Sequence, residues 1–154
     1  MVLRTINNIE FQVDKEDFKL IRFCRFYFHP NVGRITAYDT NTKKREFLHR
    51  LIMDTPKNRE IDHINHNIFD NRKENLRICT AKENHRNTLM HRTNKTGYKG
   101  VSFASNMVSR PFEAKIRVNG VKKFLGYFMS ARSAAFAYNI AARHYFGEFA
   151  LLNS

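Results

Sequence analysis

Between Ile61 and Asn84 the chain sets a short apolar run, a polar turn-rich loop, a second apolar run and a helix-capping signal in direct succession. No other stretch restricts the fold as much. Ile61-Asp62-His63-Ile64 reads as a strand, and the loop from Asn65 to Glu74 has turn chemistry at Asp70-Asn71. Leu76-Arg77-Ile78-Cys79 reads as the second strand. Thr80-Ala81-Lys82-Glu83 is a capping box, predicting a helix from Thr80 to about His91. Upstream, Ile21 to Phe28 and Arg34 to Tyr38 are aromatic-rich strands divided by the His29–Gly33 turn. Phe47 to Met53 is apolar at 47, 48, 51 and 52, a helical spacing that Pro56 should end.

Charge divides the chain. Residues 1–93 hold 18 Lys/Arg against 12 Asp/Glu, whereas residues 94–154 hold 9 against 2, nearly bare of acids. The shift falls at Arg92-Thr93-Asn94-Lys95-Thr96-Gly97, a polar stretch read as a linker, so domains are expected at 1–93 and 94–154. The second reads β-β-β-α. Phe112, Ala114, Ile116 and Val118 alternate with Glu113, Lys115, Arg117 and Asn119, and Asn119-Gly120 signals a tight hairpin into Val121–Phe128. Simple pairing then puts Lys123 on the apolar side and Phe124 on the basic side; either a bulge corrects this or Phe124 belongs outside. Ser130 caps a helix from Ala131 to Phe146, closed by Gly147.

Asp62, His63, Asn75 and Asn84 form the chemically informative set. Asp62 and His63 reach a common site only if their strand ends there. A carboxylate with an amide oxygen from Asn84 suits one hard divalent cation, Mg²⁺ or Mn²⁺, that keeps several waters. A neutral imidazole beside it can serve as general base. Asn75 can hold the loop backbone or orient the imidazole.

These residues, with spacings of 12 (63 to 75) and 9 (75 to 84), resemble the HNH pattern of ββα-metal nucleases in its homing-endonuclease form. The resemblance implies His63 as general base, Asn75 as loop organiser, and Asp62 with Asn84 as metal ligands. Leu48 to Met53 looks like the stretch that precedes the motif in this branch, so the motif covers about 47–91. Gly97-Tyr98-Lys99-Gly100-Val101, the strands at 112–117 and 125–128, and Ala134 to Tyr138 resemble Apetala or ethylene-response-factor DNA-binding modules. In those a three-stranded sheet lies in the major groove. The plant modules carry Trp and a second Arg where this chain has Phe112, Phe124 and Ser102, so sequence preference does not carry over.

The expected fold is therefore α+β: a ββα-metal nuclease domain, then a three-stranded antiparallel sheet packed on one C-terminal helix. The expected activity is metal-dependent hydrolysis of duplex DNA, with a non-cleaving DNA-binding regulator as the alternative and RNA binding as a weaker rival. Candidate DNA contacts are Arg50, Arg72, Arg77 and Arg86 around the motif, and Lys99, Ser102, Lys115, Arg117, Lys122 and Lys123 on the second module. A formal charge of +13 favours such a polyanionic partner. No run of 18 apolar residues exists to span a membrane, and none of the 6 glycines builds a nucleotide-cofactor loop. Cys24 and Cys79, 55 residues apart, exclude a Cys-only zinc cluster and read as small core residues. A reduced cytoplasmic protein, monomeric and phage- or bacterium-encoded, is the matching expectation.

Overall fold

The computed structural model describes residues 1–88, 90 and 92–154. It divides into two compact units, Met1–Asn84 and His85–Ser154, ahead of the 92–97 segment.

In the first unit, β1 (Val2–Arg4) pairs antiparallel with β2 (Glu10–Gln12), and a short helix α1 (Phe18–Ile21) follows. A second sheet runs β3–β4–β5, with β3 at Cys24–His29, β4 at Arg34–Asp39 and β5 at Arg45–Phe47. Helix α2 spans Leu48–Met53 and stops before Pro56: Asp54 turns left-handed (φ 44°, ψ 53°) and Thr55 N–H reaches back to Arg50 O. Strands β6 (Glu60–His63) and β7 (Leu76–Cys79) form an antiparallel pair, and α3 (Ala81–Arg86) follows.

Alternation along β2, β3 and β4 sends one side chain in two inward, which is what gives short strands a common core. Phe11, Val13, Ile21, Phe26, Ile35, Ala37, Leu48, Ile52, Ile61 and Leu76 make that core. Residues 2–21 carry no strong periodicity, yet they supply Phe11, Val13 and Ile21, and Phe11 meets Phe26 edge-on at 4.9 Å. Cys79 is buried and Cys24 half-buried, both as free thiols.

The second unit carries a three-stranded antiparallel sheet in the order β10–β9–β8, with β8 at Val101–Phe103, β9 at Phe112–Val118 and β10 at Val121–Phe128. Asn119 and Gly120 both take positive φ, 51° and 82°, as the two-residue hairpin requires. Helix α4 (Ala131–Phe146) begins where Ser133 N–H donates to Ser130 Oγ. Its Ala134, Ala135, Ala141 and Ala142 are buried with Val101, Ala114 and Ile116 of the strands. Among the described residues no helix is long and apolar enough to cross a membrane.

Register resolves the Lys123/Phe124 conflict. Lys123 pairs with Ile116 and Phe124 with Lys115, and the register then shifts before Gly126 pairs with Ala114. The extra residue, Leu125, packs into both apolar clusters of the unit. Phe124 therefore stays on the outer face, 54% exposed, and the bulge restores the inward pattern beyond it.

Candidate functional site

Strand β6 ends at His63, as a common site for Asp62 and His63 demands. Immediately beyond, Ile64 N–H donates to Asn75 O at 2.9 Å and His66 N–H to His63 O at 2.9 Å. The loop is thus closed by its own backbone directly after the imidazole.

Asn75 fastens that loop from inside. Its Oδ1 accepts from Asn65 N–H at 2.9 Å, and its Nδ2 donates to Asp70 O at 2.8 Å. Asp70, also buried, receives Arg72 Nε and Nη2 at 2.8 Å each and Asn65 Nδ2 at 3.1 Å. The Arg72 hydrogen bonds hold its carboxyl below the usual range. From outside, β2 grips the loop: Gln12 N–H donates to Phe69 O and Asn71 N–H to Gln12 O. Asp14 Oδ2 accepts from Lys73 N–H, and Lys73 Nζ pairs with Glu16 and Asp17.

His63 is buried, and its Nε2 lies 3.4 Å from Asn71 Oδ1. Asn71 Nδ2 donates to Ile68 O, which turns the amide oxygen toward the ring. An oxygen there only accepts, so Nε2 carries the proton and the lone pair falls on Nδ1. Burial, the largest influence, pushes His63 below the ordinary histidine range despite the opposing pull of Asn71, and so keeps the ring neutral near pH 7. His49 of α2 stands beside it, equally buried, with ring centroids 5.5 Å apart. Arg34 of β4 is close enough to push both imidazoles further down.

Asp62 is buried next to His63 and faces Arg77 directly across the β6–β7 pair. Arg77 Nε and Nη2 donate to Asp62 Oδ2 at 2.9 and 2.6 Å. The capping box forms as expected, with Thr80 N–H donating to Glu83 Oε2 and Glu83 N–H to Thr80 Oγ1. It sets Asn84 on α3, where Nδ2 donates to Glu60 Oε2 at 2.7 Å. Helix α3 ends at Arg86 and does not run on toward His91, which lies outside the described residues. Asn87 and Thr88 are poor helix formers whose side chains compete for the backbone, and a Thr88 N–H to His85 O turn replaces the next helical turn.

Among the described residues no three His, Cys, Asp or Glu side chains gather as a metal cluster. Beside the two imidazoles, the donors on the Asp62 face of β6 are oxygens. Glu60 and Asp62 share a face of β6, two residues apart, and Asn84 reaches the Glu60 carboxylate. One or two carboxylates plus an amide fit a hard cation that keeps most of its water, such as Mg²⁺, and would not suit zinc.

The basic residues separate into two groups. Arg50 donates to the carbonyls of Thr55, Pro56 and Arg59, Arg72 pairs with Asp70 and Glu74, and Arg77 holds Asp62. In the second unit Lys99 Nζ donates to Arg86 O and Thr88 O, and the Arg86 guanidinium lies over the Phe146 ring at 5.0 Å. These side chains are engaged within the protein. Ser102, Lys115, Arg117 and Lys122 share the outer sheet face with Phe124 and Tyr127, whose rings meet edge-on at 4.9 Å, and Arg117 Nη1 donates to Gly120 O at 3.5 Å. Lys115 is paired with Glu113 there. Lys123 points the other way, over the Tyr145 ring of α4 at 5.1 Å.

Sequence reasoning missed three participants: Asn71 as partner of His63, Glu60 as partner of Asn84, and Arg34 as the cation near both imidazoles. The turn chemistry at Asp70-Asn71 marked the position of the first without its role. The other two depend on contacts between elements distant in sequence.

Residues 46–86 match the model of the HNH endonuclease family. An uncharacterized HNH endonuclease, L560, of Acanthamoeba polyphaga mimivirus is 30% identical over 124 residues, which is 79% of this chain and 63% of the relative. The chain thus spans under two thirds of the relative it matches. No solved structure matches it.

Proposed function

We propose that this chain is a metal-dependent DNA endonuclease of the HNH homing type, its first unit a ββα-metal nuclease. The reading rests chiefly on one observation: a buried, neutral His63 at the last position of β6, beside Asp62 and oriented by Asn71. His63 takes a proton from water through Nδ1, the oxygen of that water bonds to phosphorus, and the bond to the 3′ oxygen breaks. Asn75 keeps the loop closed, so that the imidazole does not turn away during proton transfer. A divalent cation, Mg²⁺ or Mn²⁺, held by Asp62 and Asn84 would supply charge stabilisation at the scissile phosphate and the leaving oxygen.

The second unit would target the reaction as a sheet-based DNA-binding domain of the ethylene-response-factor kind. Supporting this is the outer face of β8–β10, where Arg117 and Lys122 stand beside exposed Phe124. Such a face grips phosphates with its cations and meets bases with its rings. Duplex DNA is the substrate it suits.

Supercoiled plasmid incubated with Mg²⁺ or with EDTA, beside a His63→Ala variant, tests the reading. Cutting by the wild type that needs the metal and is lost in the variant is the expected result. Equal cutting by the variant would overturn the role of His63. One observation favours a second reading, a DNA-binding protein that does not cut: Asp62 already has a cationic partner in Arg77. Gel shifts without cleavage on a library of random sites would be its signature.

A further inference from the structure

Arg77 and Asp62 stand directly opposite each other in the β6–β7 register, with side chains only 12% and 7% exposed. Arg77 Nε and Nη2 both donate to one oxygen, Oδ2, at 2.9 and 2.6 Å. A pair this sheltered is screened little by water, so each charge strongly resists losing the other. The sequence offers Asp62 as a cation ligand and Arg77 as a DNA contact, yet here the two residues are paired with each other.

A dication arriving alone at Asp62 would stand next to the Arg77 guanidinium. A phosphate arriving alone at Arg77 would stand next to the Asp62 carboxylate. Arrival of both lets carboxylate face dication and guanidinium face phosphate, with no like charges adjoining. The planar guanidinium fork suits a phosphodiester as well as a carboxylate, so the exchange costs Arg77 no hydrogen-bonding geometry.

Resting on the reading of Asp62 as a cation ligand, we propose that Arg77 couples cation and phosphate binding: it is the internal counter-ion that weakens cation binding until a phosphodiester arrives to take its place. By linkage the effect is reciprocal, so nucleic acid tightens the cation by the same factor that the cation tightens nucleic acid.

Calorimetric titration of the full chain with Ca²⁺, alone and then saturated with a short DNA duplex, tests this. Wild type, Arg77→Gln, Arg77→Lys and Asp62→Asn are compared, and Asp62→Asn corrects for ions condensed on the duplex. Without DNA, Arg77→Gln is expected to bind Ca²⁺ at least tenfold more tightly than wild type, with Arg77→Lys within threefold of it. Adding duplex is expected to tighten Ca²⁺ at least fivefold in wild type and less than twofold in Arg77→Gln.

If Asp62→Asn abolishes Ca²⁺ binding while Arg77→Gln matches or falls below wild type, the coupling is overturned and the ligand reading stands. If Asp62→Asn binds Ca²⁺ as wild type does, the ligand reading itself fails and the coupling with it. Arg77→Gln removes the guanidinium from beside a buried carboxylate, so its melting is followed by circular dichroism over a Ca²⁺ series. A larger rise in melting temperature than wild type shows supports the coupling, and an equal or smaller rise overturns it.

Discussion

The imidazole of His49 meets that of His63 edge-on, centroids 5.5 Å apart at 66°, while its other side lies parallel to Phe47 at 5.8 Å. The arrangement makes His49 part of the wall of the site. Burial, followed by the cationic influence of His63, Arg34 and Arg50, pushes its pKa down to about 3. Below its ordinary value of 6.5 the unfolded chain therefore takes up a proton that the folded chain refuses. Stability is complete above 6.5 and falls as pH drops from there toward 3, by about 1.4 kcal/mol per pH unit for each such group. His63 is depressed in the same direction. Asp39 and Asp70 are lowered too, but their contributions are lost only below the usual carboxylate range, leaving pH 4.5–6 to the histidines. Urea unfolding across that window should show a falling midpoint, and His49→Phe should flatten the fall.

Asn75→Ala should cost about 2–4 kcal/mol. The side chain is buried and makes two hydrogen bonds to the loop backbone, and its removal leaves Asn65 N–H and Asp70 C=O without it. The buried Asp70 carbonyl so orphaned costs about 1–3 kcal/mol, and the more exposed Asn65 N–H less. Chemical denaturation measures the loss, and limited proteolysis should place new cuts between Asn65 and Glu74. An Asn75→Ala protein as stable and as resistant as wild type would contradict this account of the loop.

Legibility in the sequence followed the range of the forces involved. The capping box at Thr80–Glu83 and the Asn119-Gly120 hairpin depend on neighbours a few residues away, and both form as read. Strands β6 and β7 were legible because each is a short apolar run bounded by turn chemistry. Residues 2–21 were not, because their strands are three residues long and owe their shape to β3 and to the loop they brace. At the site, Asp62, His63 and Asn75 could be singled out by type and spacing. Their partners Arg77 and Asn71 could not be paired with them, since register and loop closure decide those contacts. Leu125 shows the same limit at one residue: alternation exposed the conflict after the hairpin, and only the register shows where the extra residue sits.

Gly100→Ala should cost about 3 kcal/mol or more and unfold the second unit first. Gly100 has φ +75°, and a Cβ there would meet the Tyr138 ring at 2.1 Å and Lys115 O at 2.7 Å. The ring belongs to α4 and is buried, and the carbonyl belongs to β9, so neither can yield cheaply. Thermal unfolding followed by tyrosine signals reads the change. Gly97→Ala is the control, since it shares the positive φ (+77°) with nothing within 4 Å of its added Cβ. It should lose only about 1 kcal/mol.

The two faces of β10 make opposite predictions for neighbouring lysines. Lys122 pairs with Arg117 on the outer face, while Lys123 pairs with Ile116 and lies over Tyr145. If the outer face holds DNA, each phosphate contact there releases condensed counterions, and removing one lowers the slope of log K against log salt by about 1. Arg117→Ala and Lys122→Ala should each do so, and the double variant should lower it by about 2. Lys123→Ala should leave the slope unchanged and act instead on thermal stability, through the lost cation–π contact, by about 0.5–1 kcal/mol. Fluorescence anisotropy with a labelled duplex at several salt concentrations measures all four variants. Equal slopes for Lys122→Ala and Lys123→Ala would mean that this face of the sheet does not hold the phosphates.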